Sequence, residues 1–141
     1  MAHKYRPVNI LLVDDDEVDI EAMSRSFARR KIGNSVHVAA NGLEALQFLR
    51  DGNGLERPVI ILLDINMPQM NGLEFLQELR ADPELNDLIV FVLTTSEDQN
   101  DVYAAYNLNV AGYMLKSEVG DSFHEAIDLI EHYWRVVELR A

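Results

Sequence analysis

The chain has 141 residues, of which 48% are apolar, and this is enough for one domain with an ordinary hydrophobic core. Its 24 acidic and 12 basic residues give a formal charge of −12, so direct binding to nucleic acid is not expected. The absence of cysteine excludes disulfides and cysteine-dependent catalysis and fits a cytoplasmic location. The first apolar run, residues 8–13, is too short for a membrane span or a signal-peptide core, so we expect no membrane association.

Apolar runs alternate with segments of helical periodicity along the whole chain. The predicted strands are residues 8–13, 36–39, 59–63, 88–93 and 112–115. The predicted helices are residues 17–31, 42–51, 72–81, 98–108 and 119–139. The strands are almost continuously apolar, as in a parallel sheet covered by helices on both faces. The sequence therefore predicts an α/β fold with five βα units and a doubly wound sheet.

Polar side chains follow four of the five predicted strands. In an open parallel sheet, ligands bind beyond the carboxyl ends of the strands, so these residues are the candidates for chemistry. They are Asp14, Asp15 and Asp16 after the first strand, Asp64 after the third, Thr94 after the fourth and Lys116 after the fifth.

The acidic residues among them suggest a cation site. Two carboxylates about 4 Å apart repel each other by roughly 4 kcal/mol at an effective dielectric near 20, so a cluster requires a compensating charge. Mg²⁺ is the natural candidate because it prefers oxygen ligands and leaves room for phosphoryl oxygens. Each residue also has a simpler interpretation: the acids after strand one could cap a helix, Lys116 could be solvated, and Thr94 could be an ordinary strand residue.

Four segments together resemble the receiver domain of two-component response regulators. They are Leu12-Val13-Asp14-Asp15, Asp64-Ile65-Asn66-Met67-Pro68 with Gly72, Leu93-Thr94, and Gly112-Tyr113-Met114-Leu115-Lys116. The resemblance covers essentially the whole chain. It implies a flavodoxin-like (βα)₅ fold with strand order 2-1-3-4-5.

The resemblance also implies the chemistry of the site. Asp64 would accept a phosphoryl group from the phosphohistidine of a sensor histidine kinase. Asp15 and Asp64 would bind Mg²⁺ through their side chains and Asn66 through its backbone carbonyl, while Asp14 would hold a metal-bound water.

Three further residues receive roles from the same resemblance. Lys116 would pair with the phosphoryl group, and Thr94 would move to hydrogen-bond it. Tyr113 would be released or drawn in by that movement, so that Thr94 and Tyr113 form a switch.

One position departs from the family pattern. Most receivers have a proline in a cis peptide after the lysine, whereas Ser117 follows Lys116 here. A cis bond before a non-proline residue costs roughly 3–4 kcal/mol, so we expect either a trans bond with a rerouted loop or a strained cis bond.

Several features resemble one subgroup, the stand-alone response regulators that partner bacterial phytochrome kinases. They are Leu93-Thr94-Thr95-Ser96, Lys116-Ser117, the longer loop at residues 51–57, and His132-Tyr133-Trp134. The resemblance implies a phytochrome-type kinase partner and a single receiver domain over residues 1–141 without an output domain.

The last predicted helix has an apolar arc of roughly 180°, which is wider than one sheet contact requires. We therefore expect a homodimer through the last two helices and strand five, with Ile127, Ile130, Trp134 and Val137 at the interface and an exposed Trp134 as its anchor. The alternative is a helix that packs deeply into its own domain.

Three other functions compete with the phosphoacceptor. A Mg²⁺-dependent phosphohydrolase with an aspartate nucleophile commonly has a second acid two residues later, where this chain has Asn66. A flavodoxin-like cofactor binder would need a phosphate-binding loop after strand one, where three aspartates would repel phosphate. A receiver-like adaptor that is never phosphorylated would not need the intact set of acids.

Overall fold

The structure is a computed structural model that describes residues 8–30, 35–51 and 55–139. Strands and helices alternate along these residues. In chain order they are β1 (Asn9–Val13), α1 (Glu17–Arg29), β2 (Val36–Ala39), α2 (Gly42–Asp51), β3 (Val59–Leu63), α3 (Gly72–Ala81), β4 (Ile89–Thr94), α4 (Gln99–Asn107), β5 (Gly112–Leu115) and α5 (His124–Val136). Short 3₁₀ turns at Lys116–Glu118 and Asp121–Phe123 lie between β5 and α5.

The strands form one parallel sheet in the order β2-β1-β3-β4-β5. This confirms the predicted flavodoxin-like fold. The central strand β3 is buried along its whole length, as its uninterrupted apolar run predicts. The chain order reverses between β1 and β3, and such a reversal opens a crevice beyond the carboxyl ends of the two strands.

The sheet separates two hydrophobic cores. On one face, Leu46 of α2, Phe75 of α3 and Ala105 of α4 pack against alternate strand residues. On the other face, Phe27 of α1 and Ile127 of α5 pack against the remaining strand residues. Because successive side chains of a strand point to opposite faces, each strand contributes to both cores.

The predicted boundaries agree with the structure for most elements, but the prediction of one helix over residues 119–139 is wrong. Gly120, Ser122 and Phe123 have positive φ angles of 77°, 54° and 59°, so this segment is not α-helical. The helix begins at His124 and ends at Val136. Val119 and Phe123 keep the apolar spacing of the helix that follows them. Periodicity alone therefore does not reveal the left-handed backbone at Ser122 and Phe123. At the end of α1, Lys31 lies outside the described residues, as do residues 52–54 of the loop before β3.

Three of the four residues expected at a dimer interface lie inside the domain. Ile127 and Ile130 are fully buried and Trp134 is 6% exposed, all three in the core that α1 and α5 share. The expectation of an exposed Trp134 is therefore wrong, because the wide apolar arc of α5 packs deeply against its own sheet. Val137 is 40% exposed.

Within the described ranges, none of the helices combines the length and the apolar character that crossing a bilayer requires.

Candidate functional site

Four strands bring their carboxyl ends to one edge of the sheet. Val13 of β1 is in register with Leu63 of β3, so Asp14 and Asp64, which follow them, are neighbours. Thr94 at the end of β4 is in register with Leu115 of β5, which directly precedes Lys116. The parallel register thus places two carboxylates, a hydroxyl and an ammonium group at a common crevice, as the sequence predicts.

The ammonium group of Lys116 connects the site. Its Nζ lies 2.9 Å from Oδ2 of Asp14, 3.3 Å from Oδ2 of Asp64 and 2.6 Å from Oδ2 of Asp19 in α1. Burial works to lower the pKa of Lys116, but the hydrogen bonds to Asp19 and Asp14 outweigh it and raise the pKa above its usual value. Lys116 therefore stays charged at neutral pH.

Asp14 is almost completely buried beside this ammonium group. Burial raises the pKa of Asp14 to about 6, although a hydrogen bond from the backbone N–H of Asp16 and the contact with Lys116 both work to lower it. The carboxylate of Asp14 is thus held in the ionised state at neutral pH against a large desolvation cost.

Asp64 is 5% exposed and has donors on both carboxylate oxygens. Oδ1 accepts a 2.6 Å hydrogen bond from the hydroxyl of Thr94 and a 3.2 Å bond from the backbone N–H of Asn66, while Oδ2 faces Lys116. The loop that follows Asp64 is itself held by a 2.9 Å hydrogen bond, which the backbone N–H of Gly72 donates to the carbonyl of Ile65. The carboxylate is therefore fixed from several sides and has little freedom to turn away.

The donor set fits a hard divalent cation. One carboxylate oxygen from each of Asp14, Asp15 and Asp64 lies within 4.8 Å of the others. Mg²⁺ and similar ions prefer oxygen ligands alone, and such an ion would offset the negative charge that remains beside Lys116. Asp15 is exposed and lines a surface cavity of about 400 Å³ together with Asn66, so the cluster opens to solvent at the side where the expected carbonyl ligand lies.

A chain of hydrogen bonds leads from Asp64 to the residues of the predicted switch. The backbone N–H of Ser96 donates to Oγ1 of Thr94 at 3.3 Å. The hydroxyl of Tyr113 donates to the carbonyl of Ser96 at 2.9 Å, so Tyr113 is drawn in against the β4–α4 loop. The hydroxyl of Ser96 also donates to Asp101 of α4 at 2.5 Å. Thr94 and Tyr113 are thus connected through one loop residue.

The peptide bond after Lys116 is trans, since the cis peptide bond among the described residues lies at Arg57–Pro58. The backbone continues directly into the 3₁₀ turn at Lys116–Glu118. Of the two expectations for Ser117, the structure shows the trans bond, and the ammonium group of Lys116 reaches the acidic cluster.

Three residues that complete the site received no individual role in the prediction from sequence, although Ser96 belongs to the segment that follows β4: Asp19, Ser96 and Asp101. The signal that could have indicated Asp19 is its place in the first turn of a helix that begins at the strand-end edge. The contacts of Ser96 and Asp101 depend on the path of the β4–α4 loop, and no pattern in the sequence indicates that path.

Residues 10–128 match the family model of the response regulator receiver domain. The chain belongs to this family. Response regulator Rcp1 of Synechocystis sp. is 35% identical to this receiver over 131 residues, which cover 91% of this chain and 89% of Rcp1.

Solved structures agree with this assignment. The phosphorylated cyanobacterial phytochrome response regulator RcpA superposes with a TM-score of 0.85 at 33% identity, covering 94% of this receiver and 98% of RcpA. The Mn²⁺-bound form of Rcp1 superposes with a TM-score of 0.81 at 34% identity, covering 94% and 99% of the two chains. This receiver is therefore similar over nearly its whole length to response regulators of phytochromes.

Proposed function

We propose that this receiver accepts a phosphoryl group on Asp64 from the phosphohistidine of a sensor histidine kinase. The observation that carries the proposal is the arrangement at Asp64: a buried carboxylate with the hydroxyl of Thr94 on one oxygen and the ammonium group of Lys116 near the other. The same arrangement supports the role of the carboxylate as a nucleophile, because both donors lie where charge on the transferred phosphoryl oxygens needs stabilisation.

The transfer is a displacement at phosphorus. A carboxylate oxygen of Asp64 forms the new P–O bond, the P–N bond to the kinase histidine breaks, and the histidine nitrogen keeps the bonding electron pair. Lys116 and Thr94 then hold phosphoryl oxygens by charge-assisted hydrogen bonds. Attack of water on phosphorus reverses the modification, releasing inorganic phosphate and the free carboxylate. No substrate outside the signalling pair is required.

Mg²⁺ is the proposed resident cation, held by the side chains of Asp15 and Asp64, by the backbone carbonyl of Asn66 and, through water, by Asp14. It would supply positive charge that offsets the phosphoryl oxygens and the clustered carboxylates. The oxygen-only donor set supports this assignment. Further support comes from Rcp1, a receiver of similar sequence whose structure is known in a Mn²⁺-bound form.

The proposed output is a change in partner binding that Thr94 and Tyr113 transmit. Added phosphoryl oxygens compete with the carboxylate of Asp64 for the hydroxyl of Thr94, and Thr94 is joined to Tyr113 through Ser96. A phosphoryl group therefore acts on the β4–α4 loop through existing contacts.

A phytochrome-type histidine kinase is the proposed partner. Support comes from the similarity to RcpA, a cyanobacterial phytochrome response regulator, and from the subgroup features of the sequence. A cytoplasmic location belongs to the same proposal.

A homodimer through α4, β5 and α5 is also proposed. The buried residues of α5 are not available to it, so the support comes from exposed apolar side chains on the two helices and just after α5: Tyr103, Tyr106, Leu129, Val136 and Val137. A two-fold axis would place the same patch of both chains in contact.

The experiment that tests the proposed function is phosphorylation of the purified chain. Incubation with Mg²⁺ and phosphoramidate should add one phosphoryl mass, and Asp64→Asn should abolish the addition. Asp51→Asn, at the exposed end of α2, is the matched control and should be modified like the wild type. Modification that persists in Asp64→Asn would refute Asp64 as the acceptor, and steady turnover of p-nitrophenyl phosphate by the wild type would favour the phosphohydrolase instead.

A further inference from the structure

The shortest ion pair of Lys116 is to a residue outside the candidate cation cluster. Nζ lies 2.6 Å from Oδ2 of Asp19, compared with 2.9 Å for Asp14 and 3.3 Å for Asp64. An ammonium group has three N–H donors, and each of them has one carboxylate partner here. Three carboxylate contacts therefore fix the position of Nζ, and the contact with Asp19 is the shortest of them.

Asp19 is held in place by the way α1 begins. The carboxylate of Asp16 caps the helix by accepting hydrogen bonds from the backbone N–H groups of Val18 at 3.0 Å and Asp19 at 3.1 Å. This cap fixes the backbone of Asp19 in the first turn, next to the strand-end edge. The side chain of Asp19 is 21% exposed and that of Lys116 is 8% exposed, so the pair is largely shielded from water.

The other two partners of Lys116 change their bonding during the proposed reaction. Asp64 becomes the acyl phosphate, and Asp14 belongs to the cluster that binds the cation. Asp19 has neither task, so its bond to Lys116 can persist from the free state to the phosphorylated state. The lysine side chain has four flexible carbons, and the backbone after Lys116 continues with Ser117, which is less rigid than proline.

We propose that Asp19 is a positioning residue that holds the ammonium group of Lys116 toward Asp64 throughout phosphoryl transfer. This role rests on the proposed function of Asp64 as acceptor. Asp19 acts through Lys116 and does not touch the phosphoryl group itself.

The test compares Asp19→Ala and Asp19→Asn with Glu17→Gln. Glu17 lies in the same turn and is exposed, and it makes no ion pair or hydrogen bond to Lys116 in the part of the chain that the structure describes. Glu17→Gln therefore removes the same charge near the site without removing the contact. Thermal unfolding followed by circular dichroism verifies that each variant is folded.

Two readouts are measured on folded protein. The first is the initial rate of phosphorylation by phosphoramidate at saturating Mg²⁺, as a function of donor concentration. Asp19→Ala should lower the maximal rate roughly tenfold with little change in the donor concentration for half-maximal rate, whereas Asp19→Asn, whose amide oxygen still accepts, should lower it less. The second is the ¹⁵N signal of the Lys116 ammonium group without Mg²⁺ or phosphodonor. It should be sharp and slow to exchange in the wild type and Glu17→Gln, and broadened in Asp19→Ala.

The outcomes separate this role from the proposed function. A phosphorylated wild type with an equally fast Asp19→Ala, or an Asp19→Ala rate no lower than that of Glu17→Gln, would overturn the role of Asp19 alone. A wild type that takes up no phosphoryl group would overturn the proposed function. An unchanged Lys116 signal in Asp19→Ala would show that Asp19 does not hold the ammonium group.

Discussion

The hydroxyl of Thr94 donates a 2.6 Å hydrogen bond to Oδ1 of Asp64, and both side chains are buried. Replacing Thr94 with alanine removes a donor from an ionised group, a contact that contributes about 1.5–3 kcal/mol. We expect Thr94→Ala to slow phosphorylation by phosphoramidate roughly 10- to 100-fold, measured by intact-protein mass spectrometry over time. Thr94→Ser keeps the hydroxyl and should stay much closer to the wild-type rate. An equal loss of rate in both variants would show that the methyl group, and not the hydroxyl, matters at this position.

The buried carboxyl group of Asp14 should make stability depend on pH. Its pKa rises from 3.8 to about 6 on folding because burial disfavours the charged form. Between these values the folded state binds more protons than the unfolded state, so the stabilisation from the protonated carboxyl is complete below about pH 4 and is lost as pH rises through about 6. At about 1.4 kcal/mol per pKa unit, the loss is up to about 3 kcal/mol.

The measurement is urea unfolding of metal-free protein in EDTA at several pH values, for the wild type and Asp14→Asn. Asp14→Asn is uncharged at every pH, so the stability of the wild type relative to this variant should fall as pH rises from about 4 to 7. Parallel curves for the two proteins would contradict the raised pKa of Asp14.

Gly72 leaves no room for a side chain behind the acceptor. A Cβ atom at this position would lie 2.4 Å from the carbonyl oxygen of Asp64 and 2.8 Å from the Cα of Ile65, which are backbone atoms. Gly72→Ala should therefore displace the Asp64 loop, destabilise the fold by about 1–3 kcal/mol and slow phosphorylation. Gly112→Ala is the control, because its Cβ would meet only the ring of Phe91 at 3.3 Å. A Gly72→Ala variant as stable and as active as Gly112→Ala would contradict the tight packing of Gly72 against the backbone of Asp64 and Ile65.

The proposed dimer depends on exposed side chains of α5. Leu129 is 48% exposed, so Leu129→Glu should weaken self-association in sedimentation velocity experiments while leaving the unfolding temperature nearly unchanged. Leu43 of α2 is similarly exposed, at 49%, and Leu43→Glu should have no effect on association. Trp134→Ala should instead destabilise the monomer by about 3–5 kcal/mol, since the side chain lies in the core. A monomeric wild type at high concentration would remove the dimer proposal.

Local patterns in the sequence predicted the five βα units, whereas the strand order and the roles of the site residues came from the resemblance to receiver domains. Apolar runs mark the strands, and parallel pairing brings their ends together, so Asp14, Asp64, Thr94 and Lys116 could be placed at one edge without coordinates. The contact between Asp19 and Lys116 could not be predicted, since it depends on the angle at which α1 leaves the sheet and on the path of the chain after β5.

Helix α5 shows a second limit of sequence patterns. Its apolar arc is compatible with an interface and with a deeply packed helix, and only the depth of packing against the sheet distinguishes the two. The backbone likewise leaves the helical conformation at Ser122 and Phe123, although the apolar spacing of the sequence continues through them. Periodicity reports which side chains are apolar, and it does not report which neighbour covers them.

Tyr113 and Met114 are adjacent in β5, yet Tyr113 packs against the core of α2, α3 and α4 while Met114 packs against the core of α1 and α5. A movement of Tyr113 in the proposed switch would therefore act first on the core of α2, α3 and α4, on the face of the sheet opposite α1 and α5. Helix α1, which carries Asp19, packs in that opposite layer, so in the proposed switch the contact between Asp19 and Lys116 would persist while the α2, α3 and α4 layer changes.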